Sequence, residues 1–174
     1  MKHLFIILLL CALSFSCKDK TDQSLVSEQS QQSDSLNIKK EDINKINYVD
    51  IGLDSKTNSI MPTWQAYQTL SDAVQSLKQA DYSFFNTDIE VFSTAIKDLE
   101  QTIPPSIKTQ SIEARVLAFK TKLLNLKDVN SLDFIDKKDV LFATKEVLVA
   151  FSNLNLQINK KLEKDSQNIA LNRN

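Results

Sequence analysis

The chain has 174 residues, 42% of them hydrophobic, and it balances 21 Lys+Arg against 22 Asp+Glu for a formal net charge of -1. That is room for one domain with a tail. So even a charge argues against a nucleic-acid binder, which carries a basic surplus, and against a disordered acidic chain. A single Gly, against a usual share of about 7%, excludes glycine-rich phosphate loops, hairpin-rich β folds and collagen.

The N-terminus reads as an address. Met1-Lys2-His3 is a short basic start, and Leu4 to Leu13 is an unbroken apolar run. Small residues then lead to Cys17. This is the layout of a secretory signal, and the run is shorter than the about 20 apolar residues that a spanning helix needs. The stretch Leu13-Ser14-Phe15-Ser16-Cys17 resembles a bacterial lipobox, with Ser14 where the usual motif has Leu. The resemblance implies a signal peptide over 1–16 and a mature chain that begins at lipidated Cys17 and is held in the membrane by its acyl chains. Two alternatives stay open: ordinary cleavage after Ser14 with release of a soluble protein, and an uncleaved anchor. Lys18-Asp19-Lys20 places no Asp directly behind the Cys, which favours outer-membrane sorting within the cell envelope.

Residues 17–45 are polar and of low complexity, with Gln29-Ser30-Gln31-Gln32-Ser33 at their centre. Such a composition buries too little surface to offset the entropy of ordering, so a disordered N-terminal tether is expected there. Over 46–61 the apolar residues Ile46, Tyr48, Val49, Ile51 and Leu53 alternate with a slip. With no second strand to pair with, this stretch reads as an extended strap lying on helices, with a turn at Gly52 and residues 54–59.

From Pro62 the period becomes helical, and a helical bundle is expected over 62–165. Trp64, Tyr67, Leu70, Val74 and Leu77 predict a helix over 62–80 that opens on Pro62. Phe85, Ile89, Phe92, Ile96, Leu99 and Ile103 predict a second, starting near 82 and ended by Pro104-Pro105; Thr87-Asp88-Ile89-Glu90 fits a capping box within it. Thr109 caps a third, with Ile112, Val116, Phe119, Leu123 and Leu126 on its core face and Leu117 and Leu124 widening that face. After a loop over 130–134, Asp136 caps a fourth that runs to 164, with Val140, Ala143, Val147, Phe151, Leu154, Ile158 and Leu162 in register. Residues 166–174 are expected to fray. Four such helices joined by short loops predict an all-α fold, an antiparallel up-down four-helix bundle, with a three-helix bundle as the alternative if the first helix docks elsewhere.

The chemistry available to the mature chain is narrow. Cys11, Cys17 and His3 are the only Cys and His residues, and all lie in the first 17 positions. Nucleophilic catalysis by Cys or a Ser-His pair, zinc binding and Glu-x-x-His di-iron sites therefore lack their residues. No catalytic residue, cofactor or metal is expected. Asp88/Glu90 and Asp98/Glu100 are two apart and point in different directions on a helix. Asp128, Asp133, Asp136 and Asp139 lack the spacing and the Gly of a calcium loop. Lys160, Lys161 and Lys164 suit the end of a helix dipole. Asn155 and Asn159 lie one step round from the core stripe and read as solvated flank positions, with a register-fixing Asn as the alternative. Trp64 and Tyr67 are the candidate ligand or partner face, against the plainer reading that aromatics at helical spacing are core.

Ala114-Arg115-Val116-Leu117, Lys120-Thr121-Lys122-Leu123-Leu124 and Phe151-Ser152-Asn153-Leu154-Asn155, behind the lipobox and the Ser/Gln tether, resemble small lipoproteins of flavobacteria and other Bacteroidetes. The resemblance implies a fold and an address but no activity. Two functions follow. The first is a non-enzymatic envelope lipoprotein, anchored in the membrane through Cys17, whose bundle meets an envelope protein partner. The alternative is a module that binds a small apolar ligand or lipid between helices, lined by Trp64 and the seven Phe of the mature chain.

Overall fold

The computed structural model describes residues 37–171 apart from residue 58. Cys17, the signal segment and residues 18–36 of the expected tether lie outside the described residues. All regular structure among the described residues is helical: α1 (Lys40–Ile43), α2 (Gln65–Leu77), α3 (Ile89–Gln101), α4 (Gln110–Asn130) and α5 (Lys137–Leu171), with 3-10 turns at Ser55–Thr57, Met61–Thr63 and Ser83–Asn86.

The core is the set of apolar stripes. Trp64, Leu70, Val74 and Leu77, then Phe92 and Leu99, then Ile112, Val116, Phe119, Leu123 and Leu126, then Val147, Leu154 and Ile158 are all buried. A spacing of three and four residues puts each set on one side of its helix, and burying that side is what holds helices of this length together in water. The pairing of α4 with α5 is the most extensive contact between elements. Three members of the expected stripes are exposed: Ile89, Leu117 and Leu124. Ile89 is the first residue of α3, ahead of the turns that are packed. Leu117 and Leu124 lie outside the narrow stripe through which α4 meets its neighbours.

Helix ends depart from expectation where local chemistry intervenes. Pro62 belongs to a 3-10 turn, and α2 proper begins at Gln65. At the other end Ala80 takes a left-handed φ of 63°. The Asp81 N–H then bonds the Ser76 carbonyl at 3.0 Å, and the Ala80 N–H bonds that of Leu77 at 3.0 Å. This is a Schellman stop with Ala in the place usually held by Gly. The second helix starts at 89 rather than 82. Residues 83–86 wind as a 3-10 turn, and Asp88 rather than Thr87 caps α3, accepting from the Glu90 N–H at 2.7 Å. Thr109 caps α4 as expected, accepting from the Ile112 N–H at 3.3 Å. The α5 helix continues through Leu171, past both the expected end at 164 and the expected fray from 166.

The N-terminal boundary also moves. Residues 38–45, expected in the tether, belong to the body: α1 buries Ile43, and Ile38 packs against the core. The Asp42 carboxylate accepts from the Lys39 N–H at 2.9 Å and pairs with Lys137 of α5 at 2.6 Å. The strap lies on the helices as expected, with Ile46, Tyr48 and Leu53 partly buried against the core. Its turn is made by residues 55–57. Gly52 has no positive φ and open space where a Cβ would stand, so it makes no turn.

Candidate functional site

The structure moves both candidate face residues inward. Trp64, just ahead of α2, is fully buried, and Tyr67 in its first turn is nearly so. Their rings lie 5.3 Å apart, Tyr67 stacks on Phe151 at 5.7 Å, and Phe151 meets Phe119 at 5.3 Å. Four aromatic rings thus fill the space between α2, α4 and α5. Trp64 and Tyr67 are therefore core residues and not an exposed partner face. The indole Nε1 of Trp64 is buried with no hydrogen-bond partner, and the hydrophobic contacts of the ring outweigh that one unmade bond.

A polar seam lies beside this aromatic column. Asn155 is buried rather than solvated. Its Oδ1 accepts from the Tyr67 hydroxyl at 2.7 Å, and its Nδ2 donates to the Ile51 carbonyl at 2.8 Å. One turn earlier the Ser152 Oγ accepts from the Ile51 N–H at 3.3 Å. One turn later Asn159 donates to the Gly52 carbonyl at 2.9 Å and accepts from the Asp54 N–H at 3.1 Å. Ser152, Asn155 and Asn159 recur at steps of three and four, so they form one edge of α5 and read the strap's backbone along its length. A strand without a sheet must satisfy its N–H and C=O groups somewhere, and here side chains of a helix do so. Burial raises the Tyr67 hydroxyl pKa above the ordinary tyrosine value, against the pull of its bond to Asn155. Burial, with Asp50 beside it, pushes Tyr48 in the strap up to about 12.

Two other polar anchors escaped the sequence reading. Lys127 caps the 83–86 turn from α4: its Nζ donates to the carbonyls of Phe85 at 3.1 Å and Thr87 at 2.9 Å, and it lies 4.9 Å from the centre of the Phe92 ring. The Tyr82 hydroxyl meets Thr144 Oγ1 at 2.8 Å, and Thr144 in turn donates to the Val140 carbonyl at 2.8 Å. Both contacts join residues distant in sequence, and only packing brings them together.

Two open hollows are seen among the described residues. One, about 520 Å³, lies where the chain enters at Asn37 and Ile38, walled by Tyr82, Asn86, Asn130 and Leu132. The other, about 390 Å³, runs between α2 and α3, past Ala66, Thr69, Val91, Ala95 and Asp98. Neither is lined by Trp64 or Tyr67. Among the described residues no three His, Cys, Asp or Glu side chains gather as a metal site, the Asp128–Asp139 carboxylates included. No described helix is long and apolar enough to cross a membrane. Lys161 near the end of α5 pairs with Asp165 one turn on.

Comparison with family models, with curated proteins and with solved structures returns no match.

The remaining feature is apolar. Val49, Ile89, Val91, Leu117, Leu124, Leu132, Phe134 and Phe142 are large hydrophobic side chains left exposed on the body. Five of them lie on α3, α4 and α5, and two lie in the connection from α4 to α5. The pattern could have been found in the sequence only by knowing which stripe of each helix is covered.

Proposed function

We propose that this chain is a non-enzymatic envelope lipoprotein, anchored in the outer membrane through acylated Cys17, whose helical body docks another envelope protein. The observation that carries the docking half is the set of exposed apolar side chains on a body whose aromatic interior is already filled. The anchor half rests on the lipobox-like Leu13–Cys17 stretch and the polar segment behind it. The ring column of Trp64, Tyr67, Phe151 and Phe119 weighs against the alternative of an apolar ligand between helices, since it occupies the volume such a ligand would take.

We read the body as an antiparallel up-down four-helix bundle of α2 to α5. Three sets of contacts support this, each rising in number along one helix as it falls along the other. Phe119 meets Phe151 while Lys122 meets Glu146. Lys127 lies over Phe92 while Lys120 meets Glu100. Tyr67 meets Asn155, and Tyr82, just past α2, meets Thr144.

Intact mass spectrometry of the membrane-extracted native protein tests the anchor. The expected mass is that of the chain from Cys17 plus acyl groups, and Cys17→Ser should release the protein from membranes. A mass that starts at Phe15 without acyl groups would overturn the lipoprotein reading. A tightly held lipid that survives extraction would favour the ligand alternative.

A further inference from the structure

The strap differs in kind from the core it crosses. It is pinned at both ends, by buried Ile43 of α1 and by buried Thr57. Between those pins no residue from 44 to 56 is buried. Ile46, Tyr48 and Leu53 pack only in part against the core, and Val49 is 75% exposed. Lys78, just past α2, pairs with Asp50 at 2.7 Å, the one ion pair among the described residues that ties this stretch to the helices. A segment with few buried side chains and partly solvated hydrogen bonds opens ahead of the helices beneath it.

What lies under the strap is built differently. Ser152 and Asn155 are buried polar side chains, and both bond to Ile51. Ile51 gives them its N–H and its C=O together, as a residue does when it pairs with a neighbouring strand. Asn159 adds the Gly52 carbonyl and the Asp54 N–H. All four bonds go to main-chain groups, so none depends on which side chain the strap carries there. The side-chain demands are slight. A Cβ at Gly52 would meet nothing within 4 Å, and Val49, Asp50 and Asp54 are exposed. From 49 to 54 only Ile51 and Leu53, two apart, are half-buried. This edge of α5 is therefore matched to an extended main chain with apolar side chains two apart, and to little else about it.

We propose that residues 44–56 are a displaceable lid, and that the edge of Ser152, Asn155 and Asn159 beneath it binds an extended segment of another polypeptide through its main chain. Addition of a strand to an exposed sheet edge captures peptides in the same way; here helix side chains take the place of the sheet. The attached strap competes at a high effective concentration, so a partner gains access in proportion to the open fraction. The site is separate from the exposed apolar side chains that carry the docking function, and its failure leaves that reading standing.

Native-state hydrogen exchange on the full chain tests the lid. The Ile51 and Asp54 amides should exchange about 100-fold faster than the Leu154 amide of α5, with little dependence on added urea. The probe for the groove is a labelled synthetic peptide of residues 46–57, followed by fluorescence polarisation. Asp50→Lys sets a second cation against Lys78 and should loosen the lid, tightening binding of the probe about tenfold over the natural chain, with unchanged helical ellipticity as the control for folding. The same peptide N-methylated at Ile51 and Asp54 lacks the two donors read by Ser152 and Asn159, and should bind about tenfold more weakly. Exchange of the Ile51 and Asp54 amides only in the unfolding step that releases Leu154 overturns the proposal. So does a probe that fails to bind the Asp50→Lys chain, or an N-methylated probe that binds as well as the plain one.

Discussion

Asn155 offers the sharpest test of how the body holds together. Replacement by Ala removes the bond from the Tyr67 hydroxyl and the bond to the Ile51 carbonyl at once. Each such bond contributes about 1 kcal/mol net, and a buried hydroxyl left without a partner costs about 1–3 kcal/mol more. Tyr67 is buried and bears that cost, whereas the part-buried Ile51 carbonyl is close enough to solvent to recover a water. Asn155→Ala should therefore destabilise the fold by about 2–4 kcal/mol. Asn159→Ala, whose two strap bonds are exposed, should cost about 0.5–1 kcal/mol. The assay is urea unfolding followed by far-UV ellipticity, with the slope checked for constancy so that midpoints convert to free energies. A cycle with Tyr67→Phe isolates the pair and should show a coupling of about 1–2 kcal/mol. A loss below about 1 kcal/mol for Asn155→Ala, the scale of an ordinary surface change, or strict additivity with Tyr67→Phe, would refute the seam.

Three further outcomes follow. Ala80→Gly should stabilise the fold by about 0.5–1 kcal/mol, because Ala80 holds a left-handed φ that costs an L-residue about 1–2 kcal/mol, partly offset by the greater freedom of Gly when unfolded; the urea midpoint should rise. Phe119→Ala should cost about 3–5 kcal/mol as a void opens in the ring column, whereas Phe142→Ala on the exposed face should stay within about 0.5 kcal/mol; thermal melts of the two variants decide it. Stability should fall at both ends of the pH range. The Tyr67 and Tyr82 hydroxyls, raised above 10 by burial, and Tyr48, raised to about 12, favour the fold fully below the unfolded value and lose that contribution as pH climbs through their folded values. Asp42, lowered from 3.8 chiefly by its bond to Lys137, contributes above that value and is lost as pH falls through its folded pKa. Melting temperatures from pH 2 to pH 12 should form a plateau with both shoulders, flattened on the alkaline side by Tyr67→Phe and on the acid side by Asp42→Asn.

Much of the body was legible because its stripes are periodic. Phe92, Leu99, Phe119, Leu123, Val147, Leu154 and Ile158 are buried where a spacing of three and four puts them, and Thr109 caps the helix it precedes. A single Gly, and the confinement of every His and Cys to the first 17 residues, likewise narrowed both fold and chemistry before any contact was known. Helix ends were harder. The stop after α2 uses an Ala where Gly is the usual signal, and α3 starts at 89 rather than near 82 because four residues, Ser83–Asn86, wind as a 3-10 turn, with the Phe85 and Thr87 carbonyls held by Lys127 from another helix.

Periodicity says which side of a helix is apolar and nothing about what lies opposite it. That is why Asn155 read as a solvated flank: its burial depends on the strap, which crosses α5 about 100 residues away in sequence and brings a carbonyl to meet it. It is also why Trp64 and Tyr67 could be read as a surface, while Leu117 and Leu124, one step outside the stripe, could be read as core. Composition, address-like leader and helical stripes belong to the sequence, because each follows from local chemistry. The polar seam, the aromatic column and the exposure of Phe134 belong to the tertiary structure, because each depends on which surfaces are left facing one another once the stripes have closed.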